Sequence, residues 1–123
     1  SDPPEAVRGD ARAHLDWLID THVRLTEAML PWFTFAFMEA KNFPAEERRR
    51  AIDSEALTEE FFARVIAEGM ANGQLSAEPS PLMSALIKPL VQDWYVKRAK
   101  YRRRGIALET YVAAVQELVH RGC

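Results

Sequence analysis

Phe61-Phe62-Ala63-Arg64-Val65-Ile66-Ala67-Glu68-Gly69-Met70-Ala71-Asn72-Gly73-Gln74-Leu75 is the stretch that decides the fold class. It reads as a helix with one apolar side, on which Phe61, Phe62, Val65, Ile66 and Gly69 fall together. An interior glycine costs about 1 kcal/mol of helix propensity against alanine, so Gly69 predicts a close approach by another helix. The neighbours expected there are the last helices of the chain or the rim of a pocket. Asn72-Gly73 stands where the period ends and predicts a left-handed C-terminal cap, with Leu75 folding back onto the last turn.

The same period recurs on both sides of that stretch. Asp2-Pro3-Pro4-Glu5 has the proline and acid of a helix start. Val7, Ala11, Leu15, Leu18, His22, Leu25 and Met29 then predict one helical face running to about Leu30, weakened near Gly9 and broken by Pro31. Trp32-Phe33-Thr34-Phe35-Ala36-Phe37-Met38 predicts a short helix buried on most sides. Asn42-Phe43-Pro44 ends it, and the charged segment Glu46-Glu47-Arg48-Arg49-Arg50 leads into the opening helix. After Glu78-Pro79-Ser80-Pro81, with a serine cap and an initiating proline, a stripe runs through Leu82, Met83, Leu86, Ile87, Leu90, Trp94 and Tyr101. Pro89 is expected to bend that helix, and Gly105 to stop it. A last helix places Leu108, Tyr111, Val112, Val115, Leu118 and Val119 on one face. No stretch alternates like a strand. The expected class is all-α, a single domain of five or six helices over residues 1–123.

Composition limits the chemistry. The 123 residues are 48% hydrophobic and 28% charged, which suits one domain with its own core. No apolar run approaches the ~18 residues of a membrane span, and no signal peptide is expected. The single cysteine, Cys123, cannot pair within the chain and fits a reducing compartment. Three scattered histidines have no metal spacing, so no metal and no cofactor is expected. Glu46-Glu47 and Glu59-Glu60 are adjacent carboxylates that diverge on a helix surface, so no catalytic residue is assigned and the chain is not expected to be an enzyme. Charge is uneven, about +5 over 97–123 and −7 before it. The run from Lys97 to Arg104 reads best as a solvated or salt-bridging helix end, ahead of a dimer contact or nucleic-acid binding. His22 has two readings, a core histidine bonded to a carbonyl or a polar group orienting a ligand beside Thr26. The aromatic tract around Phe33 and Phe37 divides the same way, into core or greasy pocket.

Three features together resemble the C-terminal, effector-binding and dimerisation domain of TetR-family transcriptional regulators. Asp2-Pro3-Pro4-Glu5-Ala6-Val7 resembles the opening of that domain. Val65 to Leu75 resembles its I-x-E-G-x-x-x-G-x-L/F helix end. The terminal helices, finishing in Val119-His120-Arg121-Gly122, resemble its closing hairpin. The resemblance implies a cytoplasmic homodimer, joined through two long antiparallel helices at about 80–104 and 106–121. It implies a small, largely apolar effector whose binding is coupled to DNA release in a repressor. DNA contact is expected only through a helix-turn-helix preceding Ser1. The implied ligand lining is His22, Thr26, Met29, Phe33, Phe37, Phe62, Ile66 and Leu86, with Trp94 and Tyr95 shared between pocket and interface. The implied interface is Tyr95, Leu108, Val112, Val115 and Val119. The competing reading is a structural or protein-interaction bundle without a ligand cavity.

Overall fold

Asp10 starts the first helix of the protein. Its backbone is extended and its carboxylate accepts the Ala13 N–H at 3.1 Å, so it caps the run Ala11–Ala28, here α1. A computed structural model describes residues 4, 5, 8–39, 42, 44–75 and 82–123, without the side chains of 32–34, 36, 37 and 51–56. The expected start at Asp2-Pro3, Val7 on the apolar face, Phe43 in the stop and the Ser80-Pro81 cap lie outside the described residues.

The other elements are α2 (Leu30–Glu39), α3 (Ala45–Ala71), α4 (Met83–Val96), α5 (Arg98–Arg103) and α6 (Leu108–Gly122), with no strand among the described residues. The all-α reading is correct. α1 and α4 form the centre and touch each other; α3 packs on both from one side, α6 on both from the other. Among the described residues, α3 and α6 do not touch. α1 and α4 run parallel: Glu27 near the end of α1 meets Trp94 near the end of α4, while Asp16 near the start of α1 meets His120 on the last turn of α6, which lies beside Met83 at the start of α4. α4 and α6 run antiparallel, since Tyr111 reaches Leu90 and Gly122 lies beside Met83.

One core joins these helices. Leu15, Ile19, Val23, Ile87 and Val91 are fully buried between the central pair, with Phe62, Val65 and Ile66 from α3 and Val112, Val115 and Val119 from α6. The α1 stripe is rotated from its expected phase. Ala11, Leu15, Ile19, Val23 and Thr26 face inward, whereas Leu25 and Met29 are exposed. Small and β-branched residues on that row let the central helices approach, which a count of apolar positions does not reveal. On α2, Phe35 and Met38 mark one exposed face, and the side chains of the other aromatic positions lie outside the described residues.

Two boundaries also differ from the sequence reading. The charged residues from Glu46 to Arg50 are the first turns of α3 itself, which runs unbroken for 27 residues. The long helix expected over 80–104 is interrupted at Lys97, whose φ of −110° and ψ of 29° separate α4 from α5.

The end of α3 behaves as its sequence demands. Gly73, at φ +78°, donates to the Met70 carbonyl at 3.2 Å, and Gln74 donates to Gly69 at 2.8 Å. This is the paired bonding of a Schellman cap, and Leu75 turns back to become buried. Gly69 admits the first turn of α1 and Leu75, in place of the last helices or a pocket rim. A Cβ at Gly69 would lie 2.6 Å from Ala11 Cβ and 2.5 Å from the Leu75 side chain. Leu75 can swing away, but Ala11 Cβ moves only with its backbone. Gly69→Ala is therefore expected to lower unfolding free energy by about 1–3 kcal/mol in urea titrations, despite its gain in helix propensity. A variant as stable as the parent chain would show that α1 and α3 are not pressed together there.

Candidate functional site

The inward side of α1 carries two polar residues below Ile19, and they differ in how their polar atoms are satisfied. The Thr26 hydroxyl is buried and donates to the Val23 carbonyl of its own helix at 2.8 Å. His22 Nε2 is also buried, yet it has no hydrogen-bond partner among the described residues. Burial, and secondarily the positive charge of Lys88 on α4, push the His22 pKa down to about 4. The imidazole is thus neutral at neutral pH, offering one acceptor and one donor nitrogen. A buried polar atom left without a partner costs about 1–3 kcal/mol.

Phe62 and Ile66 from α3 and Trp94 from α4 are buried in the same core as the residues around His22. Phe33 and Phe37 sit on α2, whose backbone packs on α1 and α4; their side chains lie outside the described residues. Met29 and Leu86 are on the surface, at 43% and 51% exposure, and do not join that group. An open groove of about 280 Å³, lined by Glu59, Glu60, Ala63 and Ser84, lies between α3 and α4, apart from these residues.

Trp94 is committed to a structural cluster that the sequence did not announce. Its Nε1–H donates to Glu27 at 2.8 Å, while Arg98 forks onto the same carboxylate at 2.9–3.2 Å and lies 5.0 Å over the indole. Arg98 holds the Glu27 carboxyl below its usual range. Tyr101 stacks on the indole at 5.8 Å, Tyr111 packs against both rings, and the two hydroxyls bond to Asp93 and to the Leu90 carbonyl. Burial pushes the Tyr111 hydroxyl pKa well up, so it stays a donor.

The basic run is largely absorbed here. Lys97 pairs with Asp93 at 3.3 Å, Arg98 with Glu27, and Lys100 lies over Tyr101, leaving Arg102, Arg103 and Arg104 on the surface. That is the salt-bridging helix end.

The residues expected at a subunit interface are placed inside the protomer. Tyr95, Val112, Val115 and Val119 are at most 5% exposed, and Leu108 is half-buried against the same core. Val112, Val115, Val119 and Leu108 pack α6 against α1 and α4. The outer side of the α4/α6 pair instead exposes Leu82, Leu86, Pro89 and Val96 on α4, and Ala113, Ala114 and Leu118 on α6.

A helical domain with this α3 terminus matches the family described as tetracyclin repressor-like, C-terminal domain, over residues 8–97. The chain belongs to that family. No curated protein and no solved structure matches it. The TetR-type match covers α1 to α4, and α6 beyond it completes the same core. Domains of this family are regulatory, and in general bind small molecules and dimerise. No helix among the described residues is long and apolar enough to cross a membrane.

The state of His22 has a consequence for stability. Its folded pKa lies below the ordinary value, so between pH 6.5 and about 4 the unfolded chain takes up a proton that the native chain refuses. Stability from this group is present above pH 6.5 and drains away as pH falls through that window, by about 3 kcal/mol in full. Denaturant titrations at pH 7 and pH 4.5 are expected to show a smaller loss in His22→Gln than in the parent chain. Equal losses would place His22 in contact with water.

Proposed function

We propose that the whole of residues 1–123 is the effector-sensing and dimerisation unit of a TetR-type repressor. Its ligand is a small, largely apolar molecule with one hydrogen-bonding group, received at His22. The observation that carries this reading is the buried Nε2 of a neutral histidine on the inner side of α1, without a hydrogen-bond partner among the described residues. A native core normally satisfies such an atom, and an apolar site with few convergent polar groups is the usual form of a small-molecule pocket. His22 supplies the polar contact, Thr26 an additional acceptor, and Phe62 and Ile66 an apolar wall. Trp94, held by Glu27, is the fixed floor. Met29 and Leu86, being exposed, belong to the mouth or to the outer surface.

The coupling follows from population shift. A ligand that binds one arrangement of α1, α2 and α3 better than another biases the domain toward it, and with it the spacing of the preceding DNA-binding heads. DNA is contacted through those heads in the cytoplasm; the surface arginines from Arg102 to Arg104 lie at the opposite end of α1 from the point where the chain enters it.

Dimerisation uses the outer side of the α4/α6 pair. Leu86, Pro89 and Val96 on α4 continue one row from Leu82 at its N-cap, and two copies related by a two-fold axis would bury those rows with Leu118 in a four-helix interface.

Two experiments test the two halves. In thermal melts with decanol, decanoic acid and 4-nonylphenol, at least one probe is expected to raise Tm by several degrees near saturation, and His22→Phe to abolish the rise. No shift with any probe in a stable parent chain would favour the bundle without a cavity. By light scattering, the parent chain is expected at twice the chain mass and Leu86→Glu or Leu118→Glu at the single mass with helicity retained. Val115→Asp should unfold the chain instead. Dimers that survive both glutamate variants would put the interface elsewhere.

A further inference from the structure

The start of α1 is fastened by a residue from the far end of α3. Ala11 is the first residue of the helix, and its N–H is one of those that no intrahelical carbonyl reaches. It donates to Gln74 Oε1 at 2.7 Å, while Gln74 Nε2 donates to the Gly9 carbonyl at 2.6 Å. One amide side chain thus holds both sides of the turn at which the chain enters α1. Asp10 completes the capping by accepting Ala13 N–H.

Gln74 is held in turn. Its own N–H bonds to the Gly69 carbonyl at 2.8 Å and to Asn72 Oδ1 at 3.1 Å, within the Schellman cap. Gly69, lacking a side chain, lets Ala11 sit directly on α3 at the same spot, and Leu75 closes it from below. The G-x-L end of the α3 motif is therefore a receptacle for α1, and its variable position carries the hydrogen-bonding group.

From the opposite side, α6 grips the same turns. His120 Nδ1 accepts from Arg12 at 3.3 Å and Nε2 donates to Asp16 at 2.7 Å, with Gln116 donating to the Asp16 carbonyl at 3.1 Å. α3 and α6 share no contact among the described residues, and the first turns of α1 are held by side chains from both.

We infer that Gln74 is a latch: through it the terminal turn of α3 sets the position and order of the first turn of α1, where the preceding chain joins the domain. A movement of α3 then displaces that junction directly. Only this last consequence rests on the effector reading; the latch itself does not.

Amide hydrogen exchange on the unliganded chain tests it without any effector, so a failure of ligand binding leaves the result intact. Gln74→Ala is expected to speed exchange at Ala11 at least about tenfold, with Val115 in the core of α6 unchanged. Gln74→Glu keeps an acceptor for Ala11 N–H and loses the donor to Gly9, and is expected to hold Ala11 within about twofold of the parent chain. The latch is overturned if Gln74→Ala leaves Ala11 within twofold, if both variants release it equally, or if Val115 accelerates alongside.

Discussion

The Glu27 carboxylate, shared between the Trp94 indole N–H and the Arg98 guanidinium, is the interaction on which the arrangement of helices depends. Isolated ion pairs at partly exposed positions contribute little. This one is bidentate, also accepts from a buried indole, and has its cation stacked over the same ring, so three elements lose partners together if it opens. It fixes the last turn of α1 against the last turn of α4 and makes the central pair parallel. Through Tyr101 and Tyr111 it also reaches α5 and α6. Burial of His22 against the core keeps its imidazole neutral, and the parallel setting adds the smaller effect of Lys88 on α4.

Local signals in the sequence were read correctly where the physics is local. Gly73 and Leu75 form the cap of α3 and Gly105 ends α5, because each depends on backbone conformation within a few residues, whereas α1 already stops at Met29 and Pro31 lies in the first turn of α2. The phase of the α1 stripe was misplaced by about one residue, since Leu18, Ile19, His22 and Val23 are apolar enough to serve on adjoining rows. Only the partner helix selects Ile19 and Val23 for full burial. The valines of α6 illustrate the same limit. A clean apolar face on a terminal helix is equally suited to its own protomer or to a second one, and here its own protomer takes it. Glu27 with Trp94 and Gln74 with Ala11 are 67 and 63 residues apart, and no periodicity announces pairs of that kind.

The candidate site was half legible. His22 stood out as a polar residue on an apolar face, but nothing in the sequence says whether its ring is satisfied. Thr26, its neighbour, bonds to its own helix, while His22 Nε2 does not. A regulatory domain has reason to retain such an atom, because a ligand that satisfies it gains a contact absent from the empty state, which is the differential affinity a switch requires. The family match gives that reasoning its setting, and the packing of α6 extends the unit beyond the matched residues.

The most direct measurement is the pair of imidazole nitrogen-15 shifts of His22 at pH 6, recorded by NMR during titration with 4-nonylphenol and decanoic acid. A neutral ring is expected in the free chain, with a change confined to Nε2 as a probe hydrogen-bonds to it. A ring already protonated in the free chain, or one whose Nε2 is indifferent to every probe that binds, would contradict that expectation.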